Sequence, residues 1–192
     1  MLLSYKWLKK YVNIPDSVSA EEVAAKLKAS TVEVEKVEYQ GKNLENVVVG
    51  KVVTCEKHSN ADKLKVCKVD VGSEQVQIVC GGSNVSEGML VALGKLGAKV
   101  KWHGEGELIE LKQTAIRGVE SFGMICASTE IGLGEMFPLK DEKEIMDLSH
   151  LKAKSGTPLA QALGLDDAVL EIDNKSLSNR PDLWGHYGIA HE

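Results

Sequence analysis

His58-Ser-Asn-Ala-Asp-Lys-Leu-Lys-Val-Cys-Lys-Val-Asp-Val-Gly72, followed by Gln77-Ile-Val-Cys-Gly-Gly-Ser-Asn-Val85, is the stretch on which the reading of this chain turns. It runs as a polar loop, an alternating strand, a turn, a second strand, and a glycine-rich loop carrying one amide side chain. A small antiparallel β-barrel is built this way, and its loops and one strand face are the surfaces such barrels offer to an oligonucleotide.

The flanking sequence supplies the other strands. Asn46-Val-Val-Val-Gly-Lys-Val-Val-Thr-Cys55 is a β-branched run interrupted by Gly50, which predicts a curved barrel strand with a glycine bend. Strands are expected over residues 64–71 and 75–79, then 90–93 and 107–116, with a glycine-rich excursion over 94–106. Short, turn-linked strands in this number point to a five-stranded Greek-key barrel, the OB-fold.

Outside it the pattern changes. Ser4 can cap a short helix from Tyr5 to about Val12, and Ser19-Ala-Glu-Glu22 is a capping box whose helix puts Ala20, Val23, Ala24 and Leu27 on one face. Val32-Glu-Val-Glu-Lys-Val-Glu38 alternates as a half-buried strand does, and Ala168-Val-Leu-Glu-Ile-Asp173 is its natural partner. Between them, Thr157 caps a short helix with Pro158 at its first position and Gly164 at its end. The expected architecture is mostly β with α+β, the barrel being inserted into a split α+β domain. Residues 1–40 form the first half, 41–150 the barrel and 151–192 the second half. The final Gly185-His-Tyr-Gly-Ile-Ala-His-Glu192 opens a helix or loop without a C-cap or polar tail, an ending expected of a piece of a longer chain.

Composition narrows the chemistry. The 192 residues are 43% hydrophobic and 27% charged, as in soluble globular domains. No apolar run approaches the roughly 20 residues of a membrane span, and the charged N-terminus lacks a signal peptide's apolar stretch, so a cytoplasmic protein with no membrane partner is expected. Cys55, Cys67, Cys80 and Cys126 form no Cys-x-x-Cys pair; with His58 they lack the paired spacing of structural zinc sites, so buried thiols and no metal are expected. The net charge of −5 argues against a strongly phosphate-driven binder, yet it is uneven. Residues 51–101 hold eight lysines against five acids (+3), whereas 102–150 hold four basic residues against ten acids (−6). A locally basic face can touch a few phosphates but cannot coat a duplex.

Candidate contacts follow from position. Asn60 and Asp62 are turn formers that can brace their own loop, or Asn60 can offer a base-edge or sugar hydrogen bond. Lys63 and Lys65 can meet phosphates or stay solvated. Asn84, after the paired glycines, can bond a ligand or hold its loop; the loop is not a P-loop, because no Gly-Lys-Ser/Thr opens a helix. In Ile116-Arg-Gly-Val-Glu-Ser-Phe-Gly-Met-Ile-Cys126, Arg117 precedes Gly118 and can reach phosphate, or pair with Glu120. Ser121 and Ser128 are candidate caps or contacts. Trp102, Phe122 and Phe137 are too few for a row of stacked bases, so shape and backbone contacts to a folded RNA fit better.

With these residues in hand, a resemblance can be given. His58-Ser-Asn-Ala-Asp-Lys-Leu, Ile78-Val-Cys-Gly-Gly-Ser-Asn-Val and Ile116-Arg-Gly-Val-Glu-Ser-Phe-Gly-Met resemble the tRNA-binding OB domains, free-standing or fused to aminoacyl-tRNA synthetases. Ser4-Tyr-Lys-Trp-Leu-Lys-Lys-Tyr-Val12 and Ser178-Asn-Arg-Pro-Asp-Leu-Trp-Gly-His-Tyr-Gly-Ile-Ala190 resemble bacterial phenylalanyl-tRNA synthetase β subunits, at their opening and at the segment leading into their editing domain. Ser59 stands where Pro is common in the family, Ser83 where Ala or Pro is usual, and His191 where Arg is typical. The resemblance implies a non-catalytic segment that binds tRNA or assists subunit assembly, with Asn60, Lys63, Lys65, Asn84, Arg117, Ser121 and Ser128 as RNA contacts. It implies ATP and magnesium in the parent enzyme, none in this segment, and an α2β2 partnership with the α subunit and a second β subunit. The alternatives are a scaffold without RNA contact and a free-standing tRNA-binding protein.

Overall fold

In a computed structural model the chain forms two compact units, residues 1–41 with 164–192, and residues 42–163. The structure describes residues 1–192, except the side chains of Asn174 and Ser176. No helix among the described residues is long and apolar enough to cross a membrane.

The first unit is the split α+β domain. Its three-stranded antiparallel sheet places Ala168–Ile172 between Leu2–Ser4 and Val34–Tyr39, with Leu3 opposite Leu170 and Leu170 opposite Val37. The central strand thus comes from the far end of the chain, and neither half has a sheet without the other. Helix Ala20–Ser30 starts at the expected capping box, with Ser19 and Glu22 bonding each other's backbone N–H. It buries Ala20, Ala24 and Leu27 against Leu3, Val34 and Leu170. Ser4 caps the first helix, which spans only Tyr5–Leu8 rather than reaching Val12. Beyond it the amides of Tyr11 and Val12 both turn back to the Leu8 carbonyl, closing the helix ahead of Asn13-Ile-Pro15.

The second unit is a nearly closed five-stranded antiparallel barrel. Its sheet order is Met124–Ile125, Leu90–Gly94, Val47–Lys57, Lys65–Asp70, Gln75–Cys80. Val52, Cys67, Val69, Ile78, Val91 and Leu93 fill the interior. The outer strands approach closure where Phe122 N donates to Gln77 O at 2.9 Å.

Three local readings need correction. The fifth barrel strand is not 107–116 but Met124–Ile125, whose Ile125 is buried opposite Leu93. The expected stretch splits instead: Leu108–Glu110 pairs with Lys99–Lys101, and Thr114–Ile116 pairs with Val119–Ser121. Arg117 and Gly118, at φ +51 and +88°, make a two-residue reversal that no continuous strand can contain. At Gly50 the reason for glycine is space: a Cβ there would lie 2.6 Å from Val69 Cγ1. The strand's irregularity lies further on, where the register shifts between Val52 and Thr54. Finally, residues 151–163 fall with the barrel unit rather than with the last segment. Val49 exchanges backbone bonds with Gly156 and Thr157, both at 2.8 Å. Thr157 therefore does not cap; Pro158 occupies the N-cap position of the short helix Leu159–Ala162.

Candidate nucleic-acid interface

One end of the barrel gathers the polar loop 58–64, between Val47–Lys57 and Lys65–Asp70, and the tip of the hairpin Thr114–Ile116/Val119–Ser121. The loop closes on itself: His58 N donates to Leu64 O and Leu64 N to Ala61 O, both at 3.1 Å. It is tied to the hairpin by His58 Nε2 at 3.1 Å from Ile116 O, and by Asn60 Nδ2 donating to Arg117 O at 3.4 Å. The Asn60 amide N–H donates to His58 Nδ1 at 3.0 Å.

Two cations stand free on this surface. Lys63 and Arg117 are exposed, and neither has an ion pair or side-chain hydrogen bond among the described residues. The alternative partner for Arg117, Glu120, instead accepts from Gln113 Nε2 at 3.1 Å. Arg117 holds a left-handed backbone that is uncommon for a residue with a long side chain, at the first position of the reversal. Its side chain is exposed at the tip of the hairpin.

The other candidates are used inside the molecule. Lys65 is half-buried and donates through Nζ to Val85 O at 2.7 Å, joining its strand to the glycine-rich loop. Asn84 bonds both backbone groups of Ile145: Nδ2 donates to its carbonyl at 3.0 Å and Oδ1 accepts from its N–H at 2.9 Å. Gly82 lies against Ile145 as well, since a Cβ there would come within 2.7 Å of Ile145 Cγ2. Ser121 is buried; its Oγ accepts from Val79 N at 3.1 Å and donates to Gly123 O at 3.0 Å. Ser128 is buried and donates to Phe137 O at 2.6 Å. The structure therefore bonds Asn60 to the Arg117 backbone, leaves Lys63 exposed on the same loop as Asn60, and places Lys65, Asn84, Ser121 and Ser128 as internal fasteners. The residue that sequence reasoning missed is His58, whose partner lies 58 positions away; only its place at the head of a turn-rich loop hints at a role.

Other chemistry finds no support. Burial pushes the Cys126 thiol up to about 12 and raises those of Cys67 and Cys80, so none of these is a thiolate nucleophile near neutral pH. Among the described residues no group of three or more His, Cys, Asp or Glu can hold a metal ion. Ser4, Asp167 and His186 do meet in the split domain. There the Ser4 hydroxyl donates to Asp167 while His186 Nε2 accepts from the Ser4 backbone N–H at 2.8 Å, so no imidazole faces the hydroxyl. The group is a helix cap. Among aromatics of the barrel unit, Trp102 is 56% exposed, whereas Phe122 is half-buried, which leaves little for stacking.

The chain belongs to the family of putative tRNA binding domains, whose profile matches residues 47–158. It is similar over its full length to curated phenylalanine–tRNA ligase β subunits. It is 45% identical over 194 residues to that of Oceanobacillus iheyensis, 41% over 194 to that of Bacillus licheniformis, and 38% over 193 to that of Bacillus subtilis. In each case all of this chain is aligned, and it covers 23% of the relative's length.

Proposed function

We propose that this chain is a non-catalytic segment of a phenylalanine–tRNA ligase β subunit, and that its barrel holds tRNA through the loop 58–64 and the 114–121 hairpin tip. The parent enzyme charges tRNA with phenylalanine in the cytoplasm using ATP and magnesium, as an α2β2 assembly. This segment contributes docking and no turnover. The observation that carries the reading is the pair of unpaired, exposed cations, Lys63 and Arg117, on two loops bonded to each other at one barrel end. Cations so placed meet phosphates and set position, and Asn60 beside them supplies a polar contact.

The excess of +3 over residues 51–101 is small, so binding is weak, about micromolar at physiological salt, and falls as salt rises. Filter binding of tRNA to the chain at two salt concentrations tests this, and no retention even at low salt refutes it. A scaffold role without RNA contact has one observation in its favour: Lys65, Asn84, Ser121 and Ser128 are all bonded internally. The Lys63→Ala, Arg117→Ala pair in the full enzyme separates the two. A raised KM for tRNA indicates docking, and an unchanged KM indicates scaffolding.

A further inference from the structure

His58 makes no phosphate contact in the reading above, yet its surroundings are unusual for a loop histidine. It is only 5% exposed, and both ring nitrogens are engaged. A nitrogen facing an N–H must present its lone pair, and one facing a carbonyl must carry the proton. The Asn60 amide and the Ile116 carbonyl therefore select the tautomer protonated at Nε2. One side of the ring holds its own loop and the other holds the hairpin. The only other hydrogen bond between the two among the described residues, Asn60 Nδ2 to Arg117 O, is long at 3.4 Å and exposed.

We infer that His58 is a positioning residue: its ring fixes the 58–64 loop against the hairpin tip so that Lys63 and Arg117 meet RNA as one preformed site. This rests on the reading that these two cations contact RNA. Two loops ordered separately would each lose freedom on binding, whereas loops already joined lose little. The left-handed backbone of Arg117 fits the same purpose, because the residue next to it supplies the carbonyl that His58 grips.

Two substitutions divide the ring's tasks. In His58→Asn the short amide can still accept from the residue 60 N–H, as in an Asx-turn, but cannot reach Ile116. In His58→Gln the longer amide can still donate toward Ile116 O. The 192-residue chain and each variant are titrated with a transcript of phenylalanine-accepting tRNA, and amide hydrogen exchange is followed at residues 60 and 116–119. His58→Asn is expected to speed exchange at 116–119 while residue 60 stays protected, and to weaken tRNA binding about three- to tenfold. His58→Gln is expected to keep 116–119 protected and to bind within about twofold of wild type. Lys63→Ala and Arg117→Ala should be non-additive in wild type and additive in His58→Asn. Wild-type affinity in His58→Asn, or equal losses in both variants with unchanged exchange at 116–119, overturns the inference. If the wild-type chain binds no tRNA, the preceding functional reading falls and the positioning role with it, while the exchange pattern still reports whether the brace exists.

Discussion

The two units treat their cations differently. In the split domain, Lys6 pairs with Asp166, Lys9 with Asp16, Lys36 with Glu38, and Arg180 with both Asp182 and Glu192. Among the described residues, no ion pair falls in the barrel unit. Its lysines and Arg117 are either solvated or, like Lys65, bonded to a backbone carbonyl. A cation paired with a carboxylate must give up that partner to meet a phosphate, whereas an unpaired one breaks no ion pair in doing so. The contrast teaches that a net charge of −5 for the whole chain does not say which of its cations are already paired.

The largest expected effect tests whether the split domain is only a frame. Leu170 is fully buried at the centre of the three-stranded sheet, and Leu170→Ala should lower stability by about 2–5 kcal/mol in urea unfolding. Trp7 and Trp184 fluorescence reports that unit, and Trp102 reports the barrel. Loss of tRNA binding under conditions where the variant remains folded would break the division of labour.

Next in size is Asn84→Ala, which strands the N–H and carbonyl of Ile145. About 2–3 kcal/mol of stability should be lost, lowering the melting temperature by roughly 5–10 °C. Affinity for tRNA measured well below the transition should stay within about twofold of wild type. A large affinity loss without a melting shift would return Asn84 to the binding surface.

The double variant Lys63→Ala, Arg117→Ala should do the reverse. Melting is unchanged, binding weakens by about tenfold, and the slope of log affinity against log salt becomes shallower by about 1.5. Lys36→Ala, which removes an exposed paired cation in the split domain, serves as the control and should leave that slope alone.

The smallest effect concerns pH. Burial lowers the His186 pKa from its ordinary value of 6.5, against a weaker opposing pull from Asp167. The folded state therefore binds this proton less readily than the unfolded chain. The contribution is fully present above about pH 6.5 and is lost as pH falls through the depressed folded value. The urea midpoint of wild type should drop more than that of His186→Gln between pH 7.5 and 5.5. Equal drops would remove His186 from the account.

Much of the fold was legible because its signals are local. The turn at residues 72–74, the alternation over 65–70 and the capping box at Ser19 are each contained in a few residues. The fifth strand was misplaced because Leu108–Glu110 is apolar enough to suggest a barrel strand, yet all three residues are exposed in a side hairpin. The two-residue strand Met124–Ile125 is too short to show any period.

From the chain alone came the barrel class, its insertion between two halves of one sheet, and the cations placed at loop tips. Those follow from residue type and short-range spacing, which act within a turn or two of the backbone. Which polar side chains would remain available was decided only by the folded molecule. The partners that consume Ser121, Asn84 and His58 lie 42, 61 and 58 residues away. A buried polar atom must find a partner wherever the fold supplies one, and no local pattern records that choice.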